Sequence, residues 1–218
     1  MILSTIIISI FLFTLWIISG YLPTMNIESP AYKVIEAKPD YEVRQYGTYI
    51  IAETDQRGSR KEAQSGGFRE LFRYISGGNS AGSKVTMTAP VLQSTASGGR
   101  KIPMSAPVIK QADSASGRMA FVMPPGLSLE ELPKPTSALI RLRVIAPQTV
   151  AVIRFSGYAT EGRIREHTEK LLSALKRDGR RVHSTPRTGL YNPPWTPPFM
   201  RRNEVMVEIE GFNAVEKG

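Results

Sequence analysis

Residues 2–18 form an apolar run broken only by Ser4, Thr5, Ser9 and Thr14, and no charge falls within it. With Ser19 and Gly20 the run reaches ~30 Å as a helix, enough to cross a hydrocarbon core. It predicts a membrane anchor through residues 2–19. A cleaved export signal is the alternative, although Ser19-Gly20-Tyr21 is a poor cleavage site and the only charge before the run is the amino terminus. The nearest downstream cations, Lys33 and Lys38, lean toward a cytoplasmic domain, whereas the likeness to export signals leans the other way.

Beyond a linker at residues 21–31 the period shortens to two. Tyr32, Val34 and Glu36 share one phase, and Pro39-Asp40 marks a turn. Tyr41, Val43 and Gln45 then alternate with Glu42, Arg44 and Tyr46. After Gly47, Tyr49-Ile50-Ile51-Ala52 resumes the pattern, which predicts a hairpin. The period lengthens over Ser59 to Ser76, where Phe68, Leu71, Phe72 and Ile75 make one apolar helical stripe that Gly77-Gly78-Asn79 ends. Arg69 and Arg73 flank that stripe.

The second half echoes the first. Ile140, Leu142 and Val144 alternate with Arg141 and Arg143, Ala146-Pro147-Gln148 turns the chain, and 150–155 returns as a strand. Ile164, Thr168, Leu171, Leu172 and Leu175 mark a second amphipathic helix, stopped at Gly179. Between the halves, Lys84-Val85-Thr86-Met87-Thr88-Ala89-Pro90-Val91 recurs as Lys101-Ile102-Pro103-Met104-Ser105-Ala106-Pro107-Val108. Each copy reads as a short strand bent at its proline, with Met87 and Met104 as paired core positions. Ala120 to Met123 reads as a further short strand. The order strand pair, helix, strands thus occurs twice. It predicts one α+β domain over residues 32–210 with pseudo-twofold symmetry, an antiparallel sheet and two packed helices. Residues 1–20 are the anchor or signal, and 211–218 are a polar tail.

The stretch from Gly189 to Val207 has another character. Four prolines (Pro193, Pro194, Pro197, Pro198) forbid helix or central strand and stiffen an extended loop. Tyr191, Trp195 and Phe199 put aromatic faces on it, Arg201 and Arg202 follow, and Val205, Val207 and Ile209 alternate as in a half-buried strand. Such a loop can be a lid on the domain or the wall of a pocket for a flat, apolar, anionic ligand.

Composition narrows the chemistry. The absence of cysteine excludes disulfides, thiolate metal sites, iron–sulfur clusters and covalent haem attachment. A net charge of +9 favours anionic partners. The basic residues are dispersed, with no zinc-finger spacing or RNP-like motif, so no nucleic-acid partner is expected. There are two histidines. His167 lies at the edge of the second stripe, a packing position and at best a weak metal candidate; His183 lies in a basic loop. With no G-x-S-x-G, P-loop or dinucleotide fingerprint and no selected carboxylate pair, no catalytic residue is assigned and an enzyme is not expected.

The doubled M-[TS]-A-P-V element, F-R-x-L-F-x-Y-I-S-G-x-N at Phe68 to Asn79, F-S-G at Phe155 to Gly157 and Y-N-P-P-W-T-P-P-F-x-R-R-N-E-V at Tyr191 to Val205 resemble the SOUL haem-binding family. The resemblance runs from about Tyr32 to Ile209. It implies a distorted antiparallel β-barrel with two helices in pseudo-twofold arrangement, similar to bacterial effector-binding domains. It also implies reversible, non-covalent binding of b-type haem or another tetrapyrrole, for buffering or transport. The cleft would lie between the first amphipathic helix (Phe68, Leu71, Phe72, Arg73 and Ile75) and the late loop (Tyr191, Trp195, Phe199, Arg201 and Arg202). The chain departs from one branch in having no histidine before His167, which leaves the axial ligand open. An effector-binding or interaction module without haem is the alternative, and an enzyme acting on a small amphiphile stands behind it.

Overall fold

A computed structural model describes residues 2–21, 29–56, 60–94 and 117–211. These residues form three α-helices and nine strands. In chain order they are α1 (Ile2–Tyr21), β1 (Tyr32–Ala37), β2 (Glu42–Tyr46), β3 (Tyr49–Gln56), α2 (Arg60–Ile75), β4 (Val91–Ser94), β5 (Gly117–Val122), β6 (Ile140–Ile145), β7 (Gln148–Phe155), α3 (Glu161–Arg177), β8 (Arg187–Leu190) and β9 (Asn203–Glu208). All strands pair antiparallel in one curled sheet of order β1-β2-β7-β9-β8-β4-β5-β3-β6.

That order explains the repeat. Matching β2-β3-α2-β4-β5 with β6-β7-α3-β8-β9 turns the sheet from β2 to β6 into a palindrome centred between β8 and β4. β1 and β2 pair across the turn at Pro39-Asp40, but the hairpins expected from β2 to β3 and from β6 to β7 do not form. β2 pairs with β7 and β3 pairs with β6, so each arm hands its second strand to the other half. The two corners meet instead, and Gln148 Nε2 donates to the Tyr49 hydroxyl at 2.6 Å. The expected barrel is also open. β1 and β6 stand at opposite ends of the order, so the sheet is a half-barrel.

Side-chain alternation sorts the core by face. On the outer face, Leu71, Tyr74 and Ile75 of α2 pack on Ile50, Ala52, Met119 and Phe121. Leu171, Ala174 and Leu175 of α3 pack on Val43, Phe155, Val205 and Val207. On the inner face, Tyr46, Ile51, Leu92, Val122, Val150 and Met206 meet across the curl. Both faces are therefore covered along β9, which is buried on each side rather than half-buried.

The helix ends follow local chemistry. Thr160 caps α3 by accepting from the Arg163 N–H; Glu161 opens it, and Lys176 and Arg177 close it, matching the helix dipole. α2 ends where Gly77 takes a φ of 108° and Gly78 N–H donates to the Arg73 carbonyl. Asn79 fixes the exit, its amide donating to the Tyr74 and Ser83 carbonyls.

Two expectations fail at the internal repeat. Residues 84–90 are not strand, and β4 begins only at Val91; Met87 is exposed rather than core. Residues 101–108, with Met104, lie outside the described residues. α1 is the expected apolar N-terminal helix and contains no charged residue. Over the described side chains, which in α1 omit Leu3 and stop at Ile17, no helix is long and apolar enough to cross a membrane. The expected anchor is thus present as a helix and not as a demonstrated span.

Candidate functional site

The α2 stripe divides between core and surface. Leu71 and Ile75 are buried beneath the helix, so they hold α2 to the sheet and line no cleft. Phe68 and Phe72 face outward at 41% and 49% exposure. Their rings stack at 5.9 Å, and Phe68 also meets Phe121 edge-on at 5.4 Å. The result is an aromatic shelf anchored on β5 and open to its surroundings. Arg73 projects beside it, 60% exposed and paired with Glu70 at 2.6 Å.

The strand register relates this shelf to the late loop. Phe121 is opposite Val91, and Val91 is opposite Leu190. Cross-strand partners share a face. Phe121, Val91 and Leu190 therefore make a row on the outer face from beneath Phe68 to the residue before the loop. Val91 and Leu190 are only partly buried. From β5 to β8 the row spans two strand spacings, about 10 Å.

The loop residues take separate roles. Tyr191 turns to the inner face, where its hydroxyl donates to Glu204 at 2.6 Å and the Arg202 guanidinium covers its ring at 4.1 Å. Arg202 pairs with Glu204 at 2.7 Å. Arg201 donates to the Thr196 carbonyl at 2.8 Å and to the Pro194 carbonyl, and lies over the Tyr158 ring. Both arginines, expected at a ligand's carboxylates, instead build the loop and the core. Trp195 and Phe199 alone of the five expected loop residues are exposed, at 56% and 61%.

Sequence reasoning missed the strongest electrostatic feature. Glu204 has no exposed surface and accepts from Arg44 at 2.9 Å as well as from Tyr191 and Arg202. Arg44 is itself buried, bonds Glu42 and lies over the Tyr32 ring. Burial raises the Glu204 pKa, but hydrogen bonds from Arg44 and Tyr191 and the two cations outweigh it, and the net shift is downward. Tyr191 is shifted up by burial and by the Glu204 charge. The available signal was phase: Glu42, Arg44 and Tyr46 share one side of a strand whose other side carries Val43.

His167 belongs to the other half. Its Nδ1 bonds the Arg163 carbonyl at 2.7 Å and its ring stacks on Phe155 at 4.2 Å. It packs α3 on the sheet rather than facing the α2 shelf. Among the described residues no group of three or more His, Cys, Asp or Glu could hold a metal ion.

The chain is thus an α+β domain: a pseudo-symmetric half-barrel with one amphipathic helix per repeat and an aromatic shelf on one of them. The family model "SOUL heme-binding protein" matches residues 27–208, and the chain belongs to that family. No curated protein matches it in sequence. Among solved structures it is similar to the C-terminal domain of EcmrR, with 11% identity, 82% of this chain and 98% of that chain covered, and a TM-score of 0.57. It is also similar to an uncharacterized conserved protein from Listeria innocua (11% identity, 79% and 93% covered, TM-score 0.58) and to a hydrolase from Listeria innocua (9% identity, 81% and 94% covered, TM-score 0.52). At these identities the likeness is one of fold alone.

Proposed function

We propose that the protein binds haem or a related tetrapyrrole reversibly and without covalent attachment, for buffering or transport, and acts as a binding protein rather than an enzyme. The observation that carries this is the stacked, outward-facing Phe68–Phe72 pair on α2 in a chain of the SOUL family. Exposed aromatic faces on a helix held rigidly by Leu71, Tyr74 and Ile75 suit the flat face of a macrocycle. The Phe121–Val91–Leu190 row supplies a floor, and Trp195 or Phe199 a far wall. Arg73 can serve a propionate, because an exposed ion pair such as Arg73–Glu70 is worth only about 0–1 kcal/mol and exchanges readily.

The donor set fits the ring better than the iron. His167 is engaged with Phe155 on the other half, so apolar contact and not histidine ligation holds the ligand in this reading. A cationic effector, the alternative for this fold, needs a free buried acid; Glu204 is already satisfied by Arg44, Arg202 and Tyr191, and Glu53 is paired with Arg118, Arg141 and Arg143.

Hemin titration followed at the Soret band tests the proposal. A saturable shift is expected, and Phe72→Ala should weaken it about tenfold, since losing part of a buried ring removes on the order of 1.5 kcal/mol. No shift at micromolar hemin, or unchanged affinity in both Phe68→Ala and Phe72→Ala, would refute it. For localisation we infer a membrane anchor in α1, with export after cleavage as the alternative. Large apolar side chains are exposed all round the helix from Ile2 to Trp16, a pattern that suits a lipid surround. The backbone helix of twenty residues spans about 30 Å.

A further inference from the structure

Two observations place the late loop beside the end of α1. The Trp16 indole N–H donates to the Trp195 carbonyl at 3.1 Å. Trp16 stands little more than one turn before α1 ends at Tyr21, where the apolar run gives out. In a spanning helix that is the level of the headgroup boundary, where Trp and Tyr concentrate because one end of the ring is apolar and the other can hydrogen-bond. We propose that the loop from Pro193 to Met200 lies in the headgroup layer of the bilayer that holds α1, with Trp195 and Phe199 inserted as interfacial anchors. The proposal rests on the reading of α1 as a membrane span.

The loop is built to hold those rings outward. Its prolines fix the backbone, Pro198–Met200 is a turn of 3-10 helix, and the Pro198 carbonyl accepts from Gly157 N–H at 2.8 Å. Arg201 clamps two further carbonyls from within. The two largest apolar side chains of this stretch nevertheless remain more than half exposed, although the segment is pinned at both ends. Tyr158, also exposed, joins them through the Arg201 guanidinium 4.5 Å from its ring.

Charge agrees with a lipid surface as the occupant. Among the described residues no carboxylate pairs with Arg201, so a full positive charge lies just behind the aromatic tip. An aromatic tip backed by an uncompensated cation matches the acyl boundary and phosphate level of a bilayer. The bond to α1 selects lipid over a protein partner: a group within hydrogen-bonding distance of a spanning helix at that depth is surrounded by headgroups. The open edge of the α2 cleft would then face the membrane, and an amphipathic tetrapyrrole could enter from the lipid side.

Trp16 and Trp195 are the only tryptophans, which gives a clean test. Full-length Trp16→Phe and Trp195→Phe are reconstituted in phosphatidylcholine vesicles carrying bromine either just below the headgroup or deep in the acyl chain. Trp195, reported by Trp16→Phe, should emit to the blue of its position in urea and be quenched more by shallow than by deep bromine. Trp16, reported by Trp195→Phe, should show the same order. Trp195 left unquenched and water-like while Trp16 is quenched would overturn the proposal and leave the anchor standing. If neither is quenched, α1 is outside the bilayer and both readings fall. Hemin affinity does not enter this readout, so failure of the tetrapyrrole reading leaves it untouched.

Discussion

The two repeats share a plan and differ in what their helices show to the outside. α2 and α3 each bury a stripe on the outer face of the sheet. α3 then turns Glu166 and Lys170 outward as an ion pair at 2.7 Å, and fills its sheet-side edge with His167 on Phe155. α2 turns Phe68 and Phe72 outward. The inner face differs too. Beside β9 the Arg44–Glu204 pair is fully buried, whereas beside β3 the cations around buried Glu53 (Arg118, Arg141 and Arg143) remain open to solvent. The first repeat thus leaves apolar rings uncovered on its helix, whereas the second shows paired charges there. Packing by Leu71, Tyr74 and Ile75 holds α2 while its stacked rings stay uncovered, and the Arg44–Glu204 pair is a structural keystone that ties β2 of the first repeat to β9 of the second.

The largest expected effect lies at that keystone. Glu204→Gln removes the charge that balances buried Arg44 and should cost about 3–5 kcal/mol, the range for breaking one side of a buried pair. Glu53 is also buried, but Glu53→Gln should cost less, because the arginines it leaves behind are more than a third exposed and water solvates them. Chemical denaturation of the two variants measures the contrast, and similar losses would erase the distinction between the halves. The pH dependence carries the same information. The folded pKa of Glu204 lies below its ordinary value of 4.5. Its contribution is therefore complete above pH 4.5 and is lost as pH falls through the lower folded value. The gap between wild type and Glu204→Gln should be flat from neutrality down to about pH 4.5 and then close as pH falls through the lower folded value.

The halves were legible in sequence because their periods are local. The α2 and α3 stripes, the glycine stops and the strand phases each depend on a few neighbouring residues. Strand exchange was not legible. The short link from Tyr46 to Tyr49 suits a hairpin locally, and only the partners β7 and β6, about a hundred residues away, decide otherwise. The split of the α2 stripe was hidden for a related reason. Phe68, Leu71, Phe72 and Ile75 share a spacing, but the curl of the sheet covers only part of the arc they sweep. Arg201 and Arg202 looked alike in sequence, yet the extended chain leading into β9 sends one to the loop carbonyls and the other to Glu204. The buried network escaped because its members, Arg44, Tyr191 and Glu204, come together only when β2, β7 and β9 are side by side.

A smaller effect separates packing from ligation in the second repeat. His167→Gln loses the ring stack on Phe155, worth about 0.5–1.5 kcal/mol, and should lower the melting temperature by a few degrees. The Soret spectrum of a hemin complex should be unchanged, since the ring is committed to α3 packing. A shifted Soret band at unchanged stability would move the site to this half and reverse the comparison.

The smallest expected effect is on α2 itself. Gly66 sits inside the helix, and a Cβ added there meets nothing within 4 Å. Alanine at such a position gains helix propensity of about 0.5–1 kcal/mol without a packing cost. Gly66→Ala should therefore stabilise the fold slightly in denaturant melts. Its bearing on the site is sharper than its size. If the shelf is preorganised, firming the turn before Phe68 leaves hemin affinity unchanged or slightly improved. If α2 must instead flex to admit a ring between Phe72 and the loop, the same variant becomes more stable and binds more weakly. Stability and affinity measured on this one variant distinguish a rigid shelf from a moving one.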